Sequence, residues 1–426
     1  MRLFVLAAIA LLILPDTLHA TDLALTHATV YTQPDGPPLH DATILIHDTR
    51  IAAVGPTRST KLLSNASTID CTGLTITAGF WNSHIHFLAP DLLNADHQPI
   101  DVLNSQLQTM FTRWGFTTVF DIASSLANTN YIRSQIEAGK LLGPRVLTVG
   151  EPFWIKTPIY VQQYLATFHI AMPEAQSIPQ AVARVDQQIH DGADGMKIFA
   201  GSIEADHVEY MPLDLARAIV DEAHRQNKLV FSHPSTIKGV ELSLDAGVDI
   251  LAHVTTSEAN ETGTTWPPQL IARMKAAHMS LIPTLTLFDV EMQRGHASPE
   301  ATQQVLALAV GQLHAYASAG GQILFGTDIG YIDHYDTAEE FQLMSRAGMT
   351  FPQILASLTT NPAQRFGYAS HSGRIAPGFD ADLVVLKSDP AADITALSHV
   401  AYTIRNGKIL FDSRASAAQN TSQQRR

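Results

Sequence analysis

The stretch Ala78-Gly79-Phe80-Trp81-Asn82-Ser83-His84-Ile85-His86-Phe87 decides how the rest of this chain is read. It is short, mostly apolar and rich in strand formers, with histidines at i and i+2. Alternate side chains of a β-strand share a face, so His84 and His86 project together from rigid backbone. Two adjacent imidazoles make half of a metal site. A strand also produces a bare His-x-His by accident, so the remaining strands have to supply the decision.

Downstream, short apolar runs alternate with helical stretches. The runs are 117–122, 145–150, 195–200, 229–233, 249–253, 280–284 and 323–328. Residues 131–140, 214–226, 240–246, 266–278 and 301–319 have helical character, as does 351–366 after the last run. With the opening strand this makes eight β units alternating with helices, which predicts an α/β fold of the (β/α)8 TIM-barrel type. A doubly wound open sheet is the competing arrangement, but no Gly-rich phosphate loop opens a helix after a strand.

Both flanks have a different texture. Residues 23–31, 42–47 and 50–54 read as strands, with a Pro/Gly loop at 33–38 and a tight turn at Asp48-Thr49. Residues 381–386, 399–404 and 409–411 read as strands again, and Asn406-Gly407 marks a hairpin. The economical arrangement joins the ends in a small β-sandwich, residues 21–77 and 371–414, with the barrel, 78–370, inserted between them. Residues 415–426 read as a polar, disordered tail.

Residues 1–20 combine one positive charge, an apolar run to Leu14 and a terminal Leu18-His19-Ala20. That is the pattern of a secretory signal peptide, and the run falls short of the roughly 20 residues that span a bilayer. It implies an exported, periplasmic or secreted protein with no membrane partner after cleavage. Cys71 is the only cysteine, so no internal disulfide is available. Hydrophobic residues make up 46% and charged residues 16%, which describes a globular chain. The net charge of −13, with no basic run before Arg425-Arg426, excludes a nucleic-acid partner.

Polar residues at the C-terminal ends of barrel strands read as site rather than core. His84 and His86 end the first strand, Lys197 lies inside the fourth, His233 closes the fifth, His253 the sixth and Asp328 the eighth. Singly, a strand-end histidine is more often structural, and Asp328 can cap a helix. Lys197 among apolar neighbours is harder to dismiss, because an ammonium is rarely buried without a purpose or an ion-pair partner. Together the six residues point to a metal site.

The set His84-Ile85-His86, Lys197, His233, His253 and Asp328 resembles the amidohydrolase superfamily. So do Asn361-Pro362-Ala363, Gly373-Arg374-Ile375-Ala376-Pro377-Gly378 and Ala381-Asp382-Leu383-Val384-Val385-Leu386. The branch it is most similar to is the imidazolonepropionase-like enzymes, which include prolidase-like peptidases. The resemblance implies two divalent ions, with His84, His86 and Asp328 on the inner one and His233 and His253 on the second. Lys197, carboxylated by carbon dioxide to N6-carboxylysine, would bridge them. Such ligands suit zinc, with manganese, cobalt and iron as alternatives. Asn82 departs from the superfamily's usual Asp, outside the ligand set.

The implied chemistry is hydrolysis of a C–N amide bond by a hydroxide shared between the ions, with Asp328 as catalytic acid–base. The expected partner is a small-molecule amide, such as an Xaa-Pro dipeptide or an N-acyl amino acid; homo-oligomerisation is left open. A cyclic amidase, lactonase or deaminase on the same scaffold is the competing reading, and a non-catalytic exported binding protein a third. Specificity should reside in the loops after the strands. They offer Tyr160, Arg294, Tyr331 and His334 as substrate contacts, with Arg294 placed to hold a carboxylate. If the leader reading holds, the mature secreted chain begins at Thr21; intact-mass measurement of the exported protein checks this.

Overall fold

The computed structural model describes residues 22–415, apart from 63, 158–160, 163–164, 166–172, 176, 205–206 and 256–264. The leader, the tail from 416 onward and the loop residue Tyr160 lie outside the described residues. Among the described residues no helix is long and apolar enough to cross a membrane.

Five strands come first: β1 (Asp22–Val30), β2 (Leu39–His47), β3 (Arg50–Pro56), β4 (Ser67–Asp70) and β5 (Thr75–Ala78). The barrel strands are β6 (Phe80–Ile85), β7 (Phe116–Asp121), β8 (Arg145–Thr148) and β9 (Gly195–Phe199). A hairpin, β10 (Gly201–Ile203) and β11 (Val208–Tyr210), interrupts them. They resume with β12 (Leu229–His233), β13 (Ile250–Ala252), β14 (Ser280–Ile282) and β15 (Gln322–Ile323). β16 (Leu383–Leu386), β17 (Val400–Arg405) and β18 (Lys408–Asp412) end the chain.

The terminal strands bond into one continuous mixed sheet, ordered β18-β17-β16-β5-β1-β2-β3, with β4 also beside β1. The joint is the antiparallel pair β5–β16, with Ala78 opposite Leu383 and Thr75 opposite Leu386. This sheet has its own apolar core, including Leu25, Ile44, Ile76, Leu383 and Ile404. Its hairpins turn where the sequence places them, at Asp48 (φ 53°) and at Asn406-Gly407 (φ 50° and 72°). Ser413 and Arg414, the last residues of the expected terminal sheet segment, and Ala415, the first of the expected tail, form a helical turn. There the Arg414 N–H donates to Asp412 Oδ1 (2.9 Å) and its guanidinium lies 5.0 Å from the Tyr402 ring centroid.

The barrel strands run parallel in two arcs, β6-β7-β8 and β9-β12-β13-β14-β15. Irregular backbone closes both gaps. Between β8 and β9, Phe153 N–H bonds Lys197 O (2.7 Å) and Phe199 N–H bonds Phe153 O (2.8 Å). Between the last strand and β6, Ser83 N–H bonds Phe325 O (2.7 Å) and Asp328 N–H bonds His84 O (2.9 Å). The eighth strand is therefore shorter than the run 323–328: its regular ladder stops at Ile323, and the rest follows β6 by these contacts.

β6 itself is irregular. Its register shifts between Asn82 and Ile85, and such a bulge inserts one residue on the strand. Trp81 can therefore fill the barrel interior while His84, three positions on, faces the mouth, a pairing that strict alternation forbids. Phe366 plugs the interior, with ring centroids 5.8 Å from Trp81, 4.9 Å from Phe120 and 6.1 Å from Phe231. It arrives because the helical stretch 351–366 breaks at Thr359 into two helices, Phe351–Leu358 and Thr360–Arg365.

The helices Ile100–Met110, Ile178–His190, Leu285–Arg294 and Ala338–Arg346 were not legible in the periodicity. The third of them occupies what reads as a loop after strand seven. Gly330, two residues after Asp328, has φ 100°, and a Cβ there would lie 1.8 Å from the His86 carbonyl oxygen. Only glycine lets this segment press against the end of β6. Gly330→Ala should destabilise the protein by at least about 2 kcal/mol, from overpacking and backbone strain together, as read from the denaturant midpoint.

Candidate metal centre

The structure brings His84, His86, Lys197, His233, His253 and Asp328 to one cavity of about 340 Å³ at the C-terminal ends of the barrel strands. Their rings form a chain, with centroids 5.2 Å apart for His84–His86, 4.6 Å for His84–His253 and 4.8 Å for His233–His253. Asp328 is the hub. Its Oδ1 is 2.8 Å from His86 Nε2 and 3.2 Å from His84 Nε2, and its Oδ2 is 3.8 Å from His253 Nε2. His84, His253 and Asp328 each offer a ligand atom within 4.8 Å of the others. This triplet draws on both halves of the expected ligand division, so His253 sits close enough to serve beside the inner set.

Proton positions follow from the partners. His86 Nδ1 lies 3.1 Å from the Ala123 carbonyl oxygen, which can only accept, so the ring proton is on Nδ1. The Thr284 hydroxyl gives its one proton to the Pro283 carbonyl (2.8 Å), so it must accept from His253 Nδ1 (2.6 Å). With Nδ1 so engaged, Nε2 is the nitrogen that each ring turns towards Asp328. Burial pushes the His84 imidazole down to about 4 and that of His233 to about 3, and holds His253 well below its ordinary value. Burial alone would raise the Asp328 carboxyl, but His84 and His86 outweigh it and hold the group well below the usual carboxylate range. Asp328 Oδ1 is buried with no aligned hydrogen bond. Imidazole nitrogens converging on a buried carboxylate oxygen that has no aligned hydrogen bond fit a bound cation.

Lys197 is buried in β9, with Nζ 5.7 Å from the Phe199 ring centroid. Burial pushes its ammonium down to about 7, against the upward pull of Asp328. A substantial share of the amine is therefore unprotonated near neutrality. The Phe199 ring stacks on His233 at 4.6 Å between centroids and 16° between planes, fixing that imidazole from the side.

Supporting residues were invisible in the sequence because they act through backbone or through distant elements. Asp121, at the end of β7, is fully buried and accepts from the hydroxyls of Ser124 (2.6 Å), Thr129 (2.8 Å) and Thr148 (2.9 Å). It thereby holds the turn that presents Ala123 O to His86. Four non-glycine residues around the mouth have left-handed backbone: Ser235 (φ 59°), His253 (75°), Thr284 (46°) and Asp328 (63°). Each costs about 1–3 kcal/mol and persists only where its surroundings enforce it.

The substrate side is largely apolar, built by Trp154, Leu165, Phe199, Leu287 and Phe288, with Glu291 and Tyr331 also lining it. Of the expected substrate contacts, Tyr331 lines the cavity. Arg294 and His334 are not among its lining residues. Arg294 instead bonds Glu291 Oε1 (2.9 Å) and the Tyr331 carbonyl (3.2 Å), so its guanidinium is engaged behind the wall. His334 is exposed, and Tyr160 lies outside the described residues. Glu291 and Leu287 were missed because their helix was read as a loop.

A model of the amidohydrolase family matches residues 75–410, and the chain belongs to that family. It is a metal-binding hydrolase acting on C–N bonds. Ochratoxinase of Aspergillus niger is 25% identical over 438 residues, spanning 93% of this chain and 88% of that protein. Its crystal structure superposes with a TM-score of 0.72 at 21% identity, over 92% of this chain and 96% of that one. A Xaa-Pro dipeptidase with bound methionine gives 0.78 at 21% identity, over 92% and 100%. Phenylurea hydrolase B gives 0.76 at 22%, over 93% and 98%.

The turn held by Asp121 offers a direct check. Asp121→Ala leaves three buried hydroxyls without their acceptor and should cost about 2–4 kcal/mol of stability in urea unfolding. It should also weaken metal binding about tenfold in a titration of the metal-free protein, through His86.

Proposed function

We propose that this chain hydrolyses the C–N bond of a small amide whose apolar or aromatic part fits the barrel-mouth cavity. The observation that carries this reading is the convergence of four imidazoles, one carboxylate and one desolvated lysine on the floor of that cavity. Two divalent ions, zinc in our reading, would supply Lewis-acid polarisation of the amide carbonyl and an activated water. His84, His86 and Asp328 would hold one ion and His233 and His253 the other, with Lys197 between them as N6-carboxylysine. The lysine's depressed pKa supports that modification, because only the free amine reacts with carbon dioxide.

Asp328 is ionised and placed as the proton carrier, taking a proton at its carboxylate and returning it to the leaving nitrogen. His86 and His253, with their tautomers set by Ala123 O and Thr284 Oγ1, keep Nε2 free throughout. Trp154, Leu287 and Phe288 line the site with apolar side chains. The names of the Xaa-Pro dipeptidase and ochratoxinase neighbours favour an amide with a bulky acyl or amine portion, a class that includes Xaa-Pro dipeptides and N-acyl amino acids. Arg294 bonds Glu291 and the Tyr331 carbonyl and is not among the residues lining the cavity, so no carboxylate-holding role is proposed for it. The N-terminal apolar stretch supports action outside the cytoplasm.

Lys197→Ala is the deciding substitution. It should lose at least one metal equivalent, by elemental analysis, and lower kcat/KM on any cleaved amide by about a hundredfold or more. A fully metallated, active variant would sink the bridging role.

A further inference from the structure

The helix Leu285–Arg294 forms one wall of the cavity, contributing Leu287, Phe288 and Glu291. Its start is unusual. Thr284 occupies the N-cap, where a threonine hydroxyl ordinarily accepts from an amide of the first turn. Here Thr284 has φ 46° and no side-chain cap bond; its hydroxyl is turned to Pro283 O and His253 Nδ1 instead. The amides left without their local cap are served from another element. Glu340, in the helix Ala338–Arg346, is fully buried and accepts from Leu285 N–H (2.9 Å), Thr286 N–H (2.7 Å) and Thr286 Oγ1 (2.9 Å).

We propose that Glu340 is a positioning residue for the metal centre, which caps the Leu285–Arg294 helix in place of Thr284 and so frees the Thr284 hydroxyl to orient His253. The arrangement is otherwise hard to account for. Thr284 could cap its own helix with a neutral hydroxyl and no buried charge. Instead the chain buries a carboxylate, whose pKa burial pushes up to about 7 against the pull of its three donors. What this secures is a fixed acceptor for His253 Nδ1–H and a pinned origin for the helix that walls the cavity. The inference rests on His253 being a metal ligand, as proposed above.

The test is a Zn2+ titration of the metal-free protein by calorimetry, with circular dichroism to confirm folding. Glu340→Gln replaces one acceptor oxygen with an NH2 aimed at backbone N–H groups. It should weaken one of two Zn2+ equivalents about 10–100-fold, the range for residues that orient a metal ligand. Thr284→Val should do the same, and the double variant should be no more than about threefold weaker than Thr284→Val alone, since both act along one path. Full Zn2+ affinity in Glu340→Gln, or effects that multiply in the double variant, would overturn the inference while leaving the proposed hydrolase intact. If Glu340→Gln does not fold, Thr286→Ala removes one of the three bonds and should weaken that equivalent about threefold; unchanged affinity there overturns the inference equally. Absence of Zn2+ uptake by the unsubstituted protein would overturn the metal reading and this inference with it.

Discussion

The structure turns on one buried carboxylate, Asp328, and the imidazoles gathered around it. Asp328 is buried, and the Nε2 atoms of His86 and His84 lie 2.8 and 3.2 Å from its Oδ1, which has no aligned hydrogen bond. A desolvated carboxylate oxygen without an aligned hydrogen bond is costly in a low-dielectric interior. A cation held between carboxylate and imidazoles would offset that cost. The tautomers of His86 and His253, the low pKa of the buried imidazoles and the ionised Asp328 all prepare the site in the protonation states that ligands need.

The surrounding fold can be read as the apparatus that enforces this geometry. Left-handed backbone turns the chain at His253, directly after β13, and at Asp328, in the irregular segment that follows β15. Such conformations do not persist by themselves; they are held by the bonds that close the barrel, by His253 N–H to Ile282 O (2.8 Å) and by Gly330 against His86 O. Glu340 and Thr284 extend the same logic one layer further out. The terminal sheet is joined to the barrel at Gly79, whose N–H bonds Asp382 O (2.8 Å) just before β6 begins. The strand that carries the first two histidines is therefore anchored at its base by the last part of the chain.

Much of this was legible in the residues. Eight apolar runs separated by helical stretches prescribe parallel strands wrapped by helices, because each face must find cover. Polar residues at the ends of those runs mark the barrel mouth. Failures have equally physical causes. The helix Leu285–Arg294 starts at a left-handed threonine with its cap supplied from residue 340, so no local start signal exists. Arg294 looked available because its partners, Glu291 and Tyr331, come together only when that helix forms and the segment after Asp328 folds against it.

The sequence by itself determined the barrel, the terminal strands that join across it and the six side chains that meet at its mouth. These depend on the period and order of residue types, which are properties of the chain read in one dimension. Tertiary structure alone decided which nitrogen of His86 and of His253 faces the carboxylate, in which direction burial displaces the His84, His233 and His253 imidazoles and which residues form the cavity wall. Those depend on burial and on hydrogen-bond partners tens to hundreds of residues away, such as Ala123 for His86, Thr284 for His253 and Glu340 for the helix between them.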